Sequence, residues 1–334
     1  MEFLISYGLF LIKLLSVVIT ILVIFFAFFG FMIHAKGKFK GKLDIYKLND
    51  KYEAYYRTLS QAIKKKNGPR LQLKQQKREK KAQLESKKPK KRIFVLNFHG
   101  DVRASNVVAL CEEITALLTV ARKKDEVLVR LESSGGMVHS YGLAASQLQR
   151  IKEANIRLVV AVDKIAASGG YLMACVADHI IAAPFAAIGS IGVLARLPNF
   201  HRFLQKKSID FEQITAGEYK RTLTLFGENT DKDREKVRQE VEEIHALFKT
   251  FIKQHRKVVD IDRVATGECW LASQAIHLKL VDELKTSDDY LLTASQQYVL
   301  FEMQYKLKRP LGKRLSQSVG QIYDRLVNTS ELFR

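Results

Sequence analysis

Two features of the chain predict an α/β fold. From residue 93 to about residue 284, short apolar runs alternate with longer stretches whose apolar residues recur at helical spacing. Two of those runs end in glycine-rich turns that lead straight into a helix, as happens where parallel strands hand over to crossover helices.

Taken in order, Ile93-Phe94-Val95-Leu96-Asn97-Phe98 is the first strand, and residues 105–121 are a helix with an apolar face. Val127-Leu128-Val129-Arg130-Leu131 is the second strand, followed by a helix over 138–152. Leu158-Val159-Val160-Ala161-Val162 is apolar throughout, as expected of a buried strand, and residues 171–177 form a helix packed in the core. Ile180-Ile181-Ala182 is a short strand, residues 199–206 a helix, and Ile209-Asp210-Phe211-Glu212-Gln213-Ile214 a strand-like run. Residues 231–257 read as one long helix capped by Thr230 or Asp231. Its stripe of Val237, Val241, Ile244, Leu247, Phe248 and Phe251 faces the core or a subunit interface. A helix over 272–278, a strand over 299–305 and a basic amphipathic helix over 310–326 complete the reading.

Residues 14–33 carry no charge and are rich in Ile, Val, Leu and Phe. At about 1.5 Å per residue, such a run crosses a hydrocarbon core of about 30 Å. A cleaved signal peptide has an apolar region of roughly 7–15 residues ending at small residues. This run is longer, and Phe29-Gly30-Phe31-Met32-Ile33 is a poor cleavage site, so the segment is read as a retained anchor. The net charge of +20 is concentrated just after it. Between residues 36 and 92 stand 21 Lys and Arg against 5 Asp and Glu, which leaves only +4 elsewhere. A basic stretch beside an anchor suits anionic headgroups, each such residue contributing about 1 kcal/mol near the surface. Nucleic-acid binding by this stretch is the lesser alternative, and none is expected of the main domain. Residues 45–66 suit one amphipathic helix, and 74–85 a second helix or a solvated linker.

The chemistry-bearing candidates lie at the ends of predicted strands. Ser168, between Ala167 and Gly169-Gly170, occupies a strand-to-helix turn where a nucleophile is exposed and developing negative charge is favoured. The plainer explanation is a serine cap with glycines for close packing. Upstream, Glu132-Ser133-Ser134-Gly135-Gly136 ends another strand and leaves backbone N–H groups free to hold an oxyanion; its plainer explanation is a tight turn. In a parallel sheet the two turns would open on the same edge. Downstream, Lys220 follows Ala216-Gly217-Glu218-Tyr219. A lysine acts as a base only when neutral, which requires its pKa to fall from about 10.4 to roughly 7–8 through burial or a nearby cation. Arg221 is one such cation; a solvated surface lysine is the competing reading. None of the eight histidines stands in a recognisable triad context, with His139 and His179 the nearest alternatives as base. Metal-binding spacings and phosphate loops are absent from the sequence, and three widely spaced cysteines make no disulfide framework, with Cys111 and Cys175 read as core residues.

Together these stretches resemble the signal peptide peptidase A family, and within it the SohB-type membrane proteases. The resemblance rests on Glu132-Ser133-Ser134-Gly135-Gly136, on residues 163–171 around Ser168, on Gly189-Ser190-Ile191-Gly192-Val193, and on residues 216–224 around Lys220, in matching order and spacing. It extends from the apolar amino-terminal run to about residue 284. It implies a ClpP/crotonase-like spiral of ββα units and a catalytic dyad of Ser168 as nucleophile and Lys220 as base. It further implies that Ser190 orients the lysine and that the N–H groups of Gly136 and Gly169 form the oxyanion hole, with no metal or cofactor. Ser134 stands where the family usually has proline, which should loosen the oxyanion turn because proline fixes φ.

The expected organisation is a transmembrane anchor at 1–35, a basic and partly helical linker at 36–91, a serine peptidase domain at 92–285 and a C-terminal extension at 286–334. The expected activity is endopeptidase cleavage of signal-peptide remnants or membrane-protein fragments at the inner membrane of a bacterium. The resemblance also implies a homo-oligomer. The positive-inside rule places residues after Ile33 in the cytoplasm, whereas the family's signal-peptidase role implies the outer face; the rule is followed here. Two other readings compete: a crotonase-type acyl-CoA enzyme, and an inactive membrane scaffold that keeps the fold.

Overall fold

The computed structural model describes residues 13–23, 41–63 and 91–307. The main folded unit begins with β1 (Lys42–Lys47), α1 (Leu48–Ile63), β2 (Arg92–Gly100), α2 (Val107–Leu118), β3 (Glu126–Ser133), α3 (Val138–Glu153) and β4 (Arg157–Val162). It continues with β5 (Ile165–Ala167), α4 (Gly169–Ala174), β6 (His179–Ala182), β7 (Ala187–Gly189), α5 (His201–Gln205) and α6 (Asp231–His255). Last come α7 (Ile261–Val264), β8 (Cys269–Leu271), α8 (Ala272–Ala275), β9 (Glu283–Leu284), α9 (Ser287–Ala294) and β10 (Val299–Lys306).

The strands run in the order β1-β10-β2-β3-β4-β6-β9. The pairings from β10 through to β9 are parallel. Alternation of side chains sends Phe94, Leu96, Phe98, Val127, Val129, Leu158 and Val160 to one face, where Ile114 and Leu117 of α2 and Leu148 and Ile151 of α3 cover them. The opposite set, Ile93, Val95, Leu128, Val159 and Ile181, packs under Leu48 of α1 and Leu291 of α9. Burial on both faces explains why these strands are apolar without alternation in sequence.

Three short strands leave this plane at its carboxyl edge. Ser133 at the end of β3 pairs with Ala166 of β5, β5 pairs in parallel with β7, and β7 pairs antiparallel with β8. The edge is where the candidate chemistry lies.

The expected domain boundaries at 92 and 285 do not coincide with the edges of the sheet. The amphipathic helix expected over 45–66 is present as α1, whereas residues 42–47, expected within the basic linker, supply β1. Within the expected extension, the strand read at 299–305 is present as β10 and inserts beside β2, and residues 287–294 supply α9. The physical reason is that the second face of a parallel sheet must be covered, and these flanking segments cover it. The strand expected at 209–214 is not one: the segment has no regular structure and is exposed, with no neighbouring strand to pair with. The long helix is present, and Thr230 caps it in a reciprocal box with Asp233. Of its expected stripe only Phe248 is fully buried, Leu247 is exposed and the others are half-buried, while Ile252, outside the stripe, is buried as well.

Residues 13–23 are helical, and the hydroxyls of Ser16 and Thr20 bond back to carbonyls of their own helix. Among the described residues no helix is long and apolar enough to cross a membrane. The rest of the expected anchor, the stretch 74–85 and the helix expected at 310–326 lie outside the described residues.

Candidate active site

Ser168 follows β5 and precedes α4, and its backbone adopts φ 51° and ψ −119°, a conformation L-residues avoid unless the surroundings enforce it. The enforcement is visible. Its N–H donates to the carbonyl of Gly189 at 2.8 Å, and the chain on either side is locked into β5 and into a buried helix. A half-buried side chain is thereby lifted out of the sheet edge.

The glycine loop after β3 lies against this turn. A Cβ placed on Gly135 would fall 2.8 Å from Cβ of Ser168 and 2.7 Å from the nitrogen of Gly169. Gly135 also has φ +89°, so only glycine meets both demands at once. On its far side the loop rests on the turn after β2: a Cβ on Gly136 would strike the Val102 carbonyl oxygen at 2.1 Å, and Met137 N–H donates to that same oxygen at 2.8 Å. The Gly135 N–H is committed to Oγ of Ser133 at 3.0 Å. The N–H groups of Gly136 and Gly169 have no acceptor among the described residues.

Ser190 is brought to the same edge, because Ala167 and Gly189 are register partners and each serine follows directly. Its φ is also positive, at 49°, and its N–H donates to the carbonyl of Glu268 at 2.6 Å. Four of the five residues singled out in sequence, Ser168, Ser190, Gly136 and Gly169, are therefore clustered by β3, β5 and β7.

Lys220 is the exception. It is exposed, and its side chain makes no hydrogen bond or ion pair among the described residues. Its turn is tied elsewhere: Glu218 pairs with Lys232 at 2.6 Å, and Lys236 lies 5.3 Å over the ring of Tyr219, both lysines belonging to α6. Apart from α5, residues 192–230 form no helix or strand. Neither histidine alternative fares better. His139 is exposed beside the glycine loop, and His179 opens β6 and bonds to Glu283 at 3.1 Å, away from the Ser168 turn.

Sequence reasoning missed Tyr141. It is fully buried in α3, with its hydroxyl on Ser133 and its ring against Gly169, where an added Cβ would meet Cγ of Tyr141 at 2.4 Å. Burial raises the pKa of its phenol above the ordinary value, and the Ser133 hydrogen bond works against that rise. A tyrosine among the polar residues of an amphipathic helix carries no motif that would have marked it.

The chain is similar to known proteins over nearly its whole length. Residues 2–148 match the family described as Peptidase family S49 N-terminal, and residues 150–300 match Peptidase family S49. The chain is 46% identical over 333 residues to "Probable protease SohB" of Haemophilus influenzae, covering 96% of this chain and 94% of that one. It is 48% identical over 319 residues to "Probable protease SohB" of Buchnera aphidicola subsp. Acyrthosiphon pisum, with 96% and 95% covered. Among solved structures, a mutant of the 1510-N membrane-bound stomatin-specific protease aligns with a TM-score of 0.41 at 13% identity, over 62% of this chain and 85% of that one.

Proposed function

The chain belongs to peptidase family S49 as a SohB-type peptidase, and we propose that it is a membrane-anchored serine endopeptidase using Ser168 and Lys220. Oγ of Ser168 attacks the peptide carbonyl while Lys220, neutral and oriented by Ser190, takes its proton. The oxyanion is held by the N–H groups of Gly136 and Gly169. Lys220 then protonates the leaving amine, and a water molecule hydrolyses the acyl-enzyme. The mechanism needs no metal or cofactor. The observation that carries this reading is the backbone of Ser168, held at positive φ beside two uncommitted amides.

Lys220 reaches the nucleophile in this reading only when residues 192–230 close over the edge. Leu194, Leu197, Phe203, Ile209 and Ile214 are exposed on that segment, which supports closure within a homo-oligomer that covers them. The repeated strand pairs β4–β5 and β6–β7 are in keeping with a ClpP/crotonase-like spiral of ββα units. The anchor is the run 14–33, whose two hydroxyls in the helical part are satisfied internally, as a bilayer requires. The site is the bacterial inner membrane with the peptidase domain on the cytoplasmic side, and the substrates are signal-peptide remnants or membrane-protein fragments.

The test is hydrolysis of a fluorogenic peptide library by the full chain in lipid vesicles, beside Ser168→Ala and Lys220→Ala. Turnover should fall to background in both variants while circular dichroism stays that of the parent. Turnover surviving Ser168→Ala would overturn the reading. Loss in Ser168→Ala alone would move the base elsewhere, with His139 examined next. A parent without turnover would favour the scaffold.

A further inference from the structure

We propose that Tyr141 is the positioning residue that aligns both halves of the oxyanion hole, a role that rests on the Ser168 reading above. The hydrogen-bond chain fixes its own direction. Tyr141 has one hydroxyl proton, and that proton is donated to the Asp101 carbonyl at 2.8 Å. The 2.6 Å contact between Ser133 Oγ and Tyr141 Oη must then be a donation from serine to tyrosine. Ser133 Oγ in turn accepts the N–H of Gly135 at 3.0 Å. The chain therefore runs from Gly135 N–H through Ser133 and Tyr141 to the Asp101 carbonyl. Hydrogen bonds aligned head to tail in a dry interior strengthen one another.

The links from Gly135 to Ser133 and from Ser133 to Tyr141 are buried, and the last, to the Asp101 carbonyl, is part-buried. Ser133 is 2% exposed and Tyr141 is 0% exposed, so neither hydroxyl can turn to water instead. Gly100 leaves the space for the pair: a Cβ there would stand 2.3 Å from Tyr141 Oη and 2.4 Å from Ser133 Oγ. The same tyrosine touches the other half of the site through its ring, which lies on Gly169 and meets Phe98 edge-on at 6.4 Å. One side chain thus fixes the glycine loop through its oxygen and the nucleophile turn through its carbons. This also answers the expectation that Ser134, in place of a proline, loosens the loop. A hydroxyl network holds Gly135 at φ +89°, where a proline would have acted through its ring.

Tyr141→Phe keeps the ring on Gly169 and removes the centre of the chain; Ser133→Ala cuts the next link. Both are compared with the parent as full chains in lipid vesicles. We expect kcat to fall about tenfold in each, with KM within twofold, because the donors act on the transition state and not on ground-state binding. The double variant should lose no more than either alone, since both break one chain. A peptidyl aldehyde, which forms a tetrahedral adduct on a serine, should bind more weakly by the same factor as kcat/KM falls. Unchanged kcat in both variants, with only the melting temperature lowered, would overturn the proposal and leave Tyr141 a packing residue. Amide exchange over residues 133–137 gives a readout free of turnover, and it should speed up at least tenfold in Tyr141→Phe relative to the rest of β3. Unchanged exchange refutes the alignment even if the parent proves inactive, whereas faster exchange with an inactive parent refutes only the peptidase reading.

Discussion

Gly142 lies inside α3 and Gly169 opens α4, and alanine should act on them with opposite sign. At Gly169 an added Cβ would lie 2.4 Å from Cγ and 2.8 Å from Cβ and Cδ2 of Tyr141. Carbon atoms rest at about 3.5–4.0 Å, so the ring would have to retreat by about 1 Å. It has nowhere to go, being fully buried, with its hydroxyl bonded to Ser133 and Asp101. Overpacking of this kind costs about 1–3 kcal/mol. At Gly142, inside α3, nothing lies within 4 Å of the new Cβ. There alanine only restricts the unfolded chain and improves helix propensity, a gain of about 0.5–1 kcal/mol. Denaturant unfolding followed by circular dichroism, in one detergent and at one pH, should move the midpoint down for Gly169→Ala and up for Gly142→Ala. Peptide turnover should collapse in the first, because the Gly169 amide is displaced, and persist in the second. Equal shifts, or a Gly169→Ala protein as stable as the parent, would refute the claim that the ring and the nucleophile turn are in hard contact.

Three further outcomes can be measured on the same protein. Ser168→Gly should raise stability by about 1 kcal/mol while abolishing turnover, because glycine relieves the positive φ of 51°; Ser168→Ala, which keeps a Cβ, should not, and a Ser168→Gly protein no more stable than Ser168→Ala would count against stored strain. Glu113 is 4% exposed, and burial lifts its carboxyl from 4.5 to about 7, the Tyr305 N–H opposing that rise. The folded chain then holds more protons than the unfolded one between those values, so stability should fall as pH rises through that window, by about 3 kcal/mol relative to Glu113→Gln; parallel unfolding curves against pH for the two proteins would refute it. Asp282→Ala should cost about 3 kcal/mol, read from the denaturant midpoint, because it leaves the guanidinium of Arg256, 6% exposed, without the carboxylate that binds it at 2.8 and 2.9 Å. A change under 1 kcal/mol would mean that the Lys279 carbonyl suffices for Arg256.

Most of the parallel sheet was legible because its strands are buried on both faces. Val127-Leu128-Val129 and Leu158-Val159-Val160 can hardly be anything but interior strands, and the turns that follow them fix where chemistry can occur. The flanks were legible as elements, the helix expected at 45–66 and the strand at 299–305 both being present, but not as parts of the sheet unit. Lys42-Leu43-Asp44-Ile45-Tyr46-Lys47 alternates in a basic setting and reads as linker, and only the need to cover the second face makes β1 and α1 part of the body. Ile209–Ile214 failed for the opposite reason. It has strand-like residues, but a strand is defined by its partner, and none is beside it. Within the site, Ser168 and the glycines were readable because backbone demands select residue types. Tyr141 was not, because its contacts with Ser133, Asp101 and Gly169 are made across three separate parts of the fold.

The two halves of the candidate centre obey different physics. The nucleophile half is built from strand ends whose register leaves no freedom: Ser133 faces Ala166, Ala167 faces Gly189, and the strain at Ser168 is held by that pairing. The base half lies on a segment with few buried contacts, which is the kind of element that opens and closes at small cost. A lysine can take a proton from serine only where water is scarce, and the exposed turn at 217–220 offers no such place by itself. Burial of that turn is therefore the step that would complete the centre. The exposed apolar side chains that flank it, from Leu194 to Ile214, would supply the free energy for that burial when a neighbouring surface covers them. If the proposed dyad operates, rigidity at Ser168 and looseness at Lys220 are complementary: the first would keep the oxyanion donors aligned, and the second would keep the serine idle until the site closed.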